Sequence, residues 1–289
     1  MKFEKYIRAA SSEECVQILS DYGADAKILA GGTDLIPQMR NGSLHVKVLI
    51  DLTRVPEFCC LKKKGEGFFI GTAFRLARLQ KCDELTGALS VLCQCAGHVS
   101  SMQVRNVATL GGNVCNASPA ADVVPGLLLL DAEAKIRGIA GERMLPVAKL
   151  LQGPGKTALN DDEIVEGFLI KKQASKTGAA YCKYAIRGDC DIAIVGVGGL
   201  LTLDASGKIA RARLALSGVG PTAVVPNEAQ SLLEGQTPCE GLFREAAELS
   251  ANASSPITDH RATAHYRLEM VKLWVQEALK QAHQRAICS

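Results

Sequence analysis

Two short stretches carry residue types from which an anion cradle could be built. Residues 27–35, "KILAGGTDL", and residues 108–116, "ATLGGNVCN", each set a Gly-Gly pair behind an apolar segment. Glycine tolerates positive φ and close backbone approach, so successive N–H groups can converge on one anion. Thr33 and Thr109 stand beside those amides as hydroxyl donors. Donors of this kind suit a pyrophosphate held mostly by backbone. Asp122 is the one charge in residues 109–122, "TLGGNVCNASPAAD". An ionised carboxylate only accepts, which suits a ribose hydroxyl or an adenine amine better than a phosphate. A Gly-Gly pair is also, more plainly, a turn or a helix start. Two pairs, both followed by hydrogen-bonding residues, strengthen the phosphate reading without displacing the plainer one.

Other chemistries find less support. Neither pair matches GxGxxG, so a nicotinamide-binding Rossmann unit is not indicated. "QGPGKT" at 152–157 lacks the earlier glycine of a P-loop and reads as a loop. The five histidines are dispersed, and no GxSxG or HExxH occurs. Ser118, ahead of Pro119, has no base beside it in sequence. The eleven cysteines show no CxxC spacing, so a metal site is not expected. Free, mostly buried thiols in a reducing compartment are the expectation. If the chain does chemistry, a cofactor carries it, and no catalytic side chain is assigned.

The elements that would hold these stretches follow from periodicity. "KFEKYIRA" is strand-like, and "SSEECVQILSDYG" has Ser11 and Glu14 at capping-box spacing and Gly23 as a stop. "AKILAGG" and "VKVLIDL" are apolar strands around a brief helix, "DLIPQMRNG". Strand–helix–strand order with short connections predicts a small parallel sheet. From about Phe58 the texture changes to a hairpin, "FCCLKKKGEGFFIGT", and a helical stretch over 82–99. A helix over 123–130 and strands in "AEAKIRGI" and "DEIVEGFLI" complete a largely antiparallel middle block. Residues 171–180, "KKQASKTGAA", read as a linker. Three strands then follow, in "YCKYAIR", "IAIVGVGGLLTLD" and "KIARARLALSGVG", and the rest is helical.

Composition sets outer limits. The chain has 289 residues, 47% hydrophobic and 22% charged, with net charge +3. That suits a globular protein of two or three subdomains. The Lys62-Lys63-Lys64 run beside "GEG" is a hairpin tip rather than a nucleic-acid patch. No apolar run approaches a membrane span, and the N-terminus has no signal-peptide pattern, so a cytoplasmic location is expected.

The sequence closely resembles the FAD-binding subunit of the molybdenum-containing hydroxylases, the group of xanthine dehydrogenase and the medium subunit of carbon monoxide dehydrogenase. The resemblance is carried by "LAGGTDLIPQMR" at 29–40 and "QVRNVATLGGNVCNASPAADVVPGLLLLDAEAKI" at 103–136. "GPGKTALNDDEIVEGF" and "KYAIRGDCDIAIVGVG" extend it over most of the chain. "RNVATLGGN", "GPGK" and "KYAIRGDCDIA" look most like the bacterial xanthine dehydrogenase type. The resemblance implies an α+β fold: a two-lobed FAD-binding domain of the vanillyl-alcohol-oxidase-like type over 1–177, then a flavoprotein C-terminal domain over 178–289. The lobes would be 1–55 and 56–177.

It also implies site residues. The first loop, Lys27, Ile28, Leu29, Ala30, Gly31, Gly32, Thr33 and Asp34, would wrap the FAD pyrophosphate. Thr109, Leu110, Gly111, Gly112 and Asn113 would form the second loop. Asp122 would contact the adenosine end, Ile164 would sit by the adenine, and Lys183 would border the flavin. FAD is then the one cofactor of this chain, since no cysteine-rich insertion is present. A molybdenum cofactor and [2Fe–2S] clusters would belong to a large and a small partner subunit, in a hetero-oligomer such as a dimer of heterotrimers. The implied function is electron transfer from partner clusters through FAD to NAD⁺ or another acceptor. A self-sufficient flavin oxidoreductase would need a substrate cavity with acid–base groups. A cofactor-free assembly subunit would show degenerate glycine loops.

Overall fold

The computed structural model describes residues 3–188 and 190–288, so Asp189 of the "KYAIRGDCDIA" stretch lies outside the described residues. The first lobe runs β1 (Lys5–Arg8), α1 (Ser12–Tyr22), β2 (Ala26–Leu29), α2 (Leu35–Arg40) and β3 (Val48–Asp51). Its three strands pair in parallel in the order β1-β3-β2. The expected N-cap is present: Ser11 Oγ accepts from the Glu14 amide at 3.2 Å. Glu14 itself reaches back one residue further than a capping box requires, accepting from the Ala10 amide at 2.6 Å.

The middle block contains β4 (Leu61–Lys64), β5 (Gly67–Gly71), α3 (Leu76–Gln80), α4 (Val91–Gly97), α5 (Met102–Arg105), α6 (Leu110–Cys115) and α7 (Val123–Leu129). It continues through β6 (Glu133–Gly138), β7 (Gly141–Pro146), α8 (Val147–Leu150), β8 (Leu151–Gly153), β9 (Lys156–Thr157) and β10 (Ile164–Ile170). Five of these strands form an antiparallel sheet, β4-β5-β10-β6-β7. The helical stretch expected over 82–99 is broken: a 3₁₀ turn at Gly87–Ser90 precedes α4, with Gly87 at positive φ. "QGPGKT" forms the small β8–β9 hairpin, turned by Gly155 at φ +67.

An ion network joins this sheet to the first lobe. Arg137 on β6 pairs with Glu13 on α1 at 3.0 Å and with the nearly buried Glu166 on β10. Lys135 bonds the other Glu166 oxygen at 2.7 Å. Burial pushes the Glu166 pKa up, but the bonds from Lys135 and Arg137 outweigh it and hold the carboxyl below the usual range.

The third unit is β11 (Thr177–Tyr184), β12 (Val195–Leu203), β13 (Ile209–Ser217), α9 (Asn227–Leu233), α10 (Glu240–Asn252) and α11 (Ala264–Ile287). Its antiparallel sheet, β11-β12-β13, is covered on both faces. Val271, Val275, Ala278 and Leu279 of α11 seal one face. On the other, Tyr181, Leu200 and Ala215 join the core of the middle block with Leu127 and Leu129 of α7. The linker expected over 171–180 is therefore shorter, because β11 already starts at Thr177. Its small residues serve packing: a Cβ on Gly178 would lie 2.1 Å from the Ala282 carbonyl of α11.

All eleven cysteines are free, but only Cys15, Cys95 and Cys182 are buried, fewer than expected. Cys190, Cys239 and Cys288 are exposed. Among the described residues no helix is long and apolar enough to cross a membrane.

Candidate cofactor-binding site

A cavity of about 690 Å³ opens where the three units meet. That volume falls inside the roughly 300–1,000 Å³ range of small-molecule and cofactor sites. The first lobe lines it with residues at the end of β2 and the start of α2, the middle block with α6 and the turn leading to α7, and the third unit with Cys190 to Ile192.

The first Gly-Gly pair sits between β2 and α2. Gly31 packs its backbone onto the segment before α6: a Cβ there would lie 2.3 Å from the Val107 carbonyl oxygen. Gly32 takes φ +69, the left-handed region where glycine is unstrained. Among the described residues, the N–H groups of Gly31, Gly32 and Thr33 have no acceptor within the chain. They line the cavity as unspent donors. Asp34 ties the two stretches together, accepting from Asn116 Nδ2 at 3.3 Å.

The second pair behaves differently. Residues 110–115 form α6, a helix and not a loop, with Thr109 as N-cap. Thr109 Oγ1 accepts from the Gly112 amide at 3.1 Å, so its hydroxyl is a cap before it is a ligand. The Leu110 and Gly111 amides donate to the Phe74 and Thr72 carbonyls, and the Asn113 amide to Thr109. The expectation that residues 110–113 offer free amides is therefore corrected: the neighbouring 72–74 segment, the Thr109 cap and the first helical turn have used every one. What this stretch presents instead is surface. Gly112 faces the cavity, where a Cβ would meet nothing but Thr109 Oγ1. Asn113 Oδ1 is buried without a hydrogen-bond partner, and such an atom costs about 1–3 kcal/mol unless something fills its shell.

Lys27, Ile28, Ala30, Thr109, Asp122 and Ile164 also line the cavity, whereas Leu29, Leu110 and Lys183 do not. Leu110 is fully buried in the middle core. Ile164 packs among first-lobe side chains such as Leu52 and Val55.

Asp122 is the most informative placement. Its carboxyl is almost wholly buried. Tyr181 Oη donates to Oδ1 at 2.8 Å, and Lys183 Nζ lies 2.9 Å from Oδ2. Burial raises the Asp122 pKa and outweighs the opposing pull of Lys183. Tyr181, pushed well up by burial and by the adjacent carboxyl, keeps its proton and donates. The expectation that Asp122 serves the adenosine end while Lys183 borders the flavin fails on this geometry. Two side chains in one ion pair cannot mark opposite ends of a dinucleotide. Asp122 stands on the cavity wall with Lys183 of the third unit behind it, while Ile164 stands among first-lobe residues.

Sequence reasoning missed Tyr181, which lies 59 residues from its partner Asp122, and Val99 and Ser100, which line the cavity without carrying a motif. Nothing local marks them.

The residues present fit a dinucleotide cofactor. Three unspent amides and a side-chain-free wall at Gly112 face one cavity of suitable size. Residues 1–170 match the family described as the FAD binding domain in molybdopterin dehydrogenase. Residues 179–282 match the CO dehydrogenase flavoprotein C-terminal domain. The alpha subunit of the 6-hydroxypseudooxynicotine dehydrogenase complex of Paenarthrobacter nicotinovorans is 31% identical over 281 residues, covering 97% of this chain and 95% of the relative. The xanthine dehydrogenase FAD-binding subunit of Escherichia coli O157:H7 is 29% identical over 97% of this chain and 96% of its own. A solved chain of carbon monoxide dehydrogenase from Hydrogenophaga pseudoflava superposes with a TM-score of 0.94 at 28% identity, covering 98% of both chains. The chain thus belongs to the FAD-binding subunits of the molybdenum hydroxylase family and is the flavoprotein subunit of such an oxidoreductase.

Proposed function

We propose that the chain passes electrons from [2Fe–2S] clusters of a partner subunit, through FAD in this cavity, to NAD⁺ or another soluble acceptor. The observation that carries the reading is the row of unspent amides at Gly31 to Thr33 on a cavity walled by all three units. FAD, when bound, would take in electrons and release them as a pair. The chain's own residues bind and orient it. The first loop supplies backbone donors for the pyrophosphate. Ile164 and neighbouring first-lobe side chains form an apolar wall suited to the adenine, and Asp122 with Lys183 stands toward the flavin. No side-chain nucleophile is required, and Ser118 Oγ accepts only from the nearby Ala120 amide at 3.4 Å.

The three larger sheets, spanning 5–51, 61–170 and 177–217, support lobes at 1–55 and 56–177 and a domain at 178–289. Eleven thiols without a disulfide favour a reducing, cytoplasmic setting. The relatives are named for a nicotine-derived compound, xanthine and carbon monoxide. A shared flavin subunit across such different substrates favours a molybdenum site and clusters on large and small partner subunits.

The test is a visible spectrum of the purified chain before and after incubation with FAD. A flavin band retained through gel filtration is expected; no uptake overturns the reading. Stopped-flow reoxidation of the reduced protein by NAD⁺ then separates a nicotinamide acceptor from another carrier.

A further inference from the structure

Val99 and Ser100 line the cavity from the short connection between α4 and α5. Ser100 takes φ +45, a left-handed conformation that is strained for a residue with a Cβ and persists only where the surroundings over-determine it. The surroundings here are two cations. Arg105 Nη1 donates at 3.0 Å to the Val99 carbonyl and at 2.6 Å to the Ser100 carbonyl. Lys183 Nζ donates at 2.9 Å to the carbonyl before them, that of His98. Three successive carbonyls are thus engaged by positive side chains from α5 and β11.

Arg105 is braced in turn. Its Nε donates at 3.0 Å to Gln80 Oε1 at the end of α3. Gln80 packs on Gly97 at the end of α4, where a Cβ would lie 3.3 Å from its Nε2. Bonds with an ionised donor are roughly twice as strong as neutral ones, so this guanidinium is the clamp on the connection. The clamp has a chemical outcome. A carbonyl turned to the cavity would repel the ring nitrogens and carbonyls of a heteroaromatic guest. With its carbonyls committed to cations, the connection has the Ser100 amide left, which has no acceptor among the described residues. The Lys183 bond sets this connection beside Asp122, at the end of the cavity read above as the flavin end.

We infer that Arg105 is a positioning residue of the cofactor site, holding Ser100 in the left-handed conformation from which its amide donates to the polar edge of the bound ring. The inference rests on the FAD reading above. Arg105 does not itself line the cavity and acts through Ser100. Without the clamp, Ser100 relaxes toward negative φ and the wall is competent only part of the time. Apparent affinity then falls by that fraction. Glycine keeps the amide and takes positive φ without strain, so Ser100→Gly removes the need for the clamp.

The experiment uses the full-length chain and measures FAD affinity by fluorescence quenching, together with the visible absorption band of the bound flavin. In Arg105→Met we expect affinity to fall about tenfold, as for a wall competent a tenth of the time, and the band to move. Ser100→Gly by itself should leave both unchanged, because Arg105 already holds the conformation. Added to Arg105→Met, it should recover most of the affinity and return the band to the parent position. An arginine that served stability alone would give additive effects instead. Unchanged affinity in Arg105→Met, or a loss that Ser100→Gly leaves as it is, overturns the inference. If Arg105→Met does not fold, Arg105→Lys decides, since one ammonium cannot hold both carbonyls and Gln80 together. Full affinity in Arg105→Lys, or a loss that Ser100→Gly does not recover, is then the overturning result. A parent chain that takes up no FAD overturns the underlying reading instead, so the two failures are distinct.

Discussion

At the first Gly-Gly pair the backbone leaves three amides without acceptors, while at the second every amide from Leu110 to Asn113 is consumed. The difference follows from what comes next. After Gly32 at φ +69 the chain turns before it can form helix, and α2 starts three residues later. After Thr109, extended at φ −120, the helix starts at once and closes on its cap. One pair supplies donors; the other supplies a flat wall and a hinge-free seat for the first. The lesson is that a glycine pair signals close approach, and the residue ahead of it decides whether the approach is to a ligand or to the protein itself.

This contrast can be broken deliberately. The largest effect is expected at Gly31→Val, where the new Cβ would fall 2.3 Å from the Val107 carbonyl oxygen. Neither backbone can yield cheaply, so a loss of about 3 kcal/mol or more is expected, visible as a fall in the denaturant midpoint together with lost FAD uptake. Gly112→Leu should separate the two roles. Its Cβ meets only Thr109 Oγ1, at 2.9 Å, so stability should change by no more than about 1 kcal/mol, the worth of the cap. FAD affinity by fluorescence quenching should nevertheless fall at least tenfold, because the side chain enters the cavity; unchanged affinity would remove the wall from the site.

Thr109→Ala should cost about 1 kcal/mol in denaturant unfolding through the lost cap, with FAD affinity reduced less than in Gly112→Leu. The smallest effect concerns the clamp that keeps both pairs apposed. Glu166 has a depressed pKa, so its contribution is complete above the ordinary carboxylate range, about 4.3, and is lost as pH falls through its lower folded value. Thermal melts should therefore show a drop as pH falls below about 4.3 that Glu166→Gln flattens. Parallel curves would assign the acid sensitivity elsewhere.

Much of this was legible in advance where one segment suffices. The first lobe's strands and the Ser11 cap follow from residues adjacent in sequence. Residues 171–180 misled because Gly178, Ala179 and Ala180 are small for the sake of α11, and small residues in sequence look the same in a linker and in a tightly packed strand. The Asp122 partners were illegible for another reason. Tyr181 and Lys183 lie 59 and 61 residues away, and only docking of the third sheet on α4 and α7 brings them over. The Ile164 placement came from the family resemblance alone, and the first-lobe side chains it packs among are not marked in its own stretch of sequence.

The meeting of three units at one cavity has a thermodynamic consequence. None of the three walls is a binding site alone, so occupancy and assembly share one equilibrium. A molecule filling that space at a hundred times its dissociation constant adds about 2.7 kcal/mol to the folded state as a whole. The sheet that carries Tyr181 and Lys183 is the one α11 covers, so the last helix shares in that gain where the chain unfolds as one unit. The cofactor would then count among the structural members of the chain, and its loss would register as a loosening of the last helix.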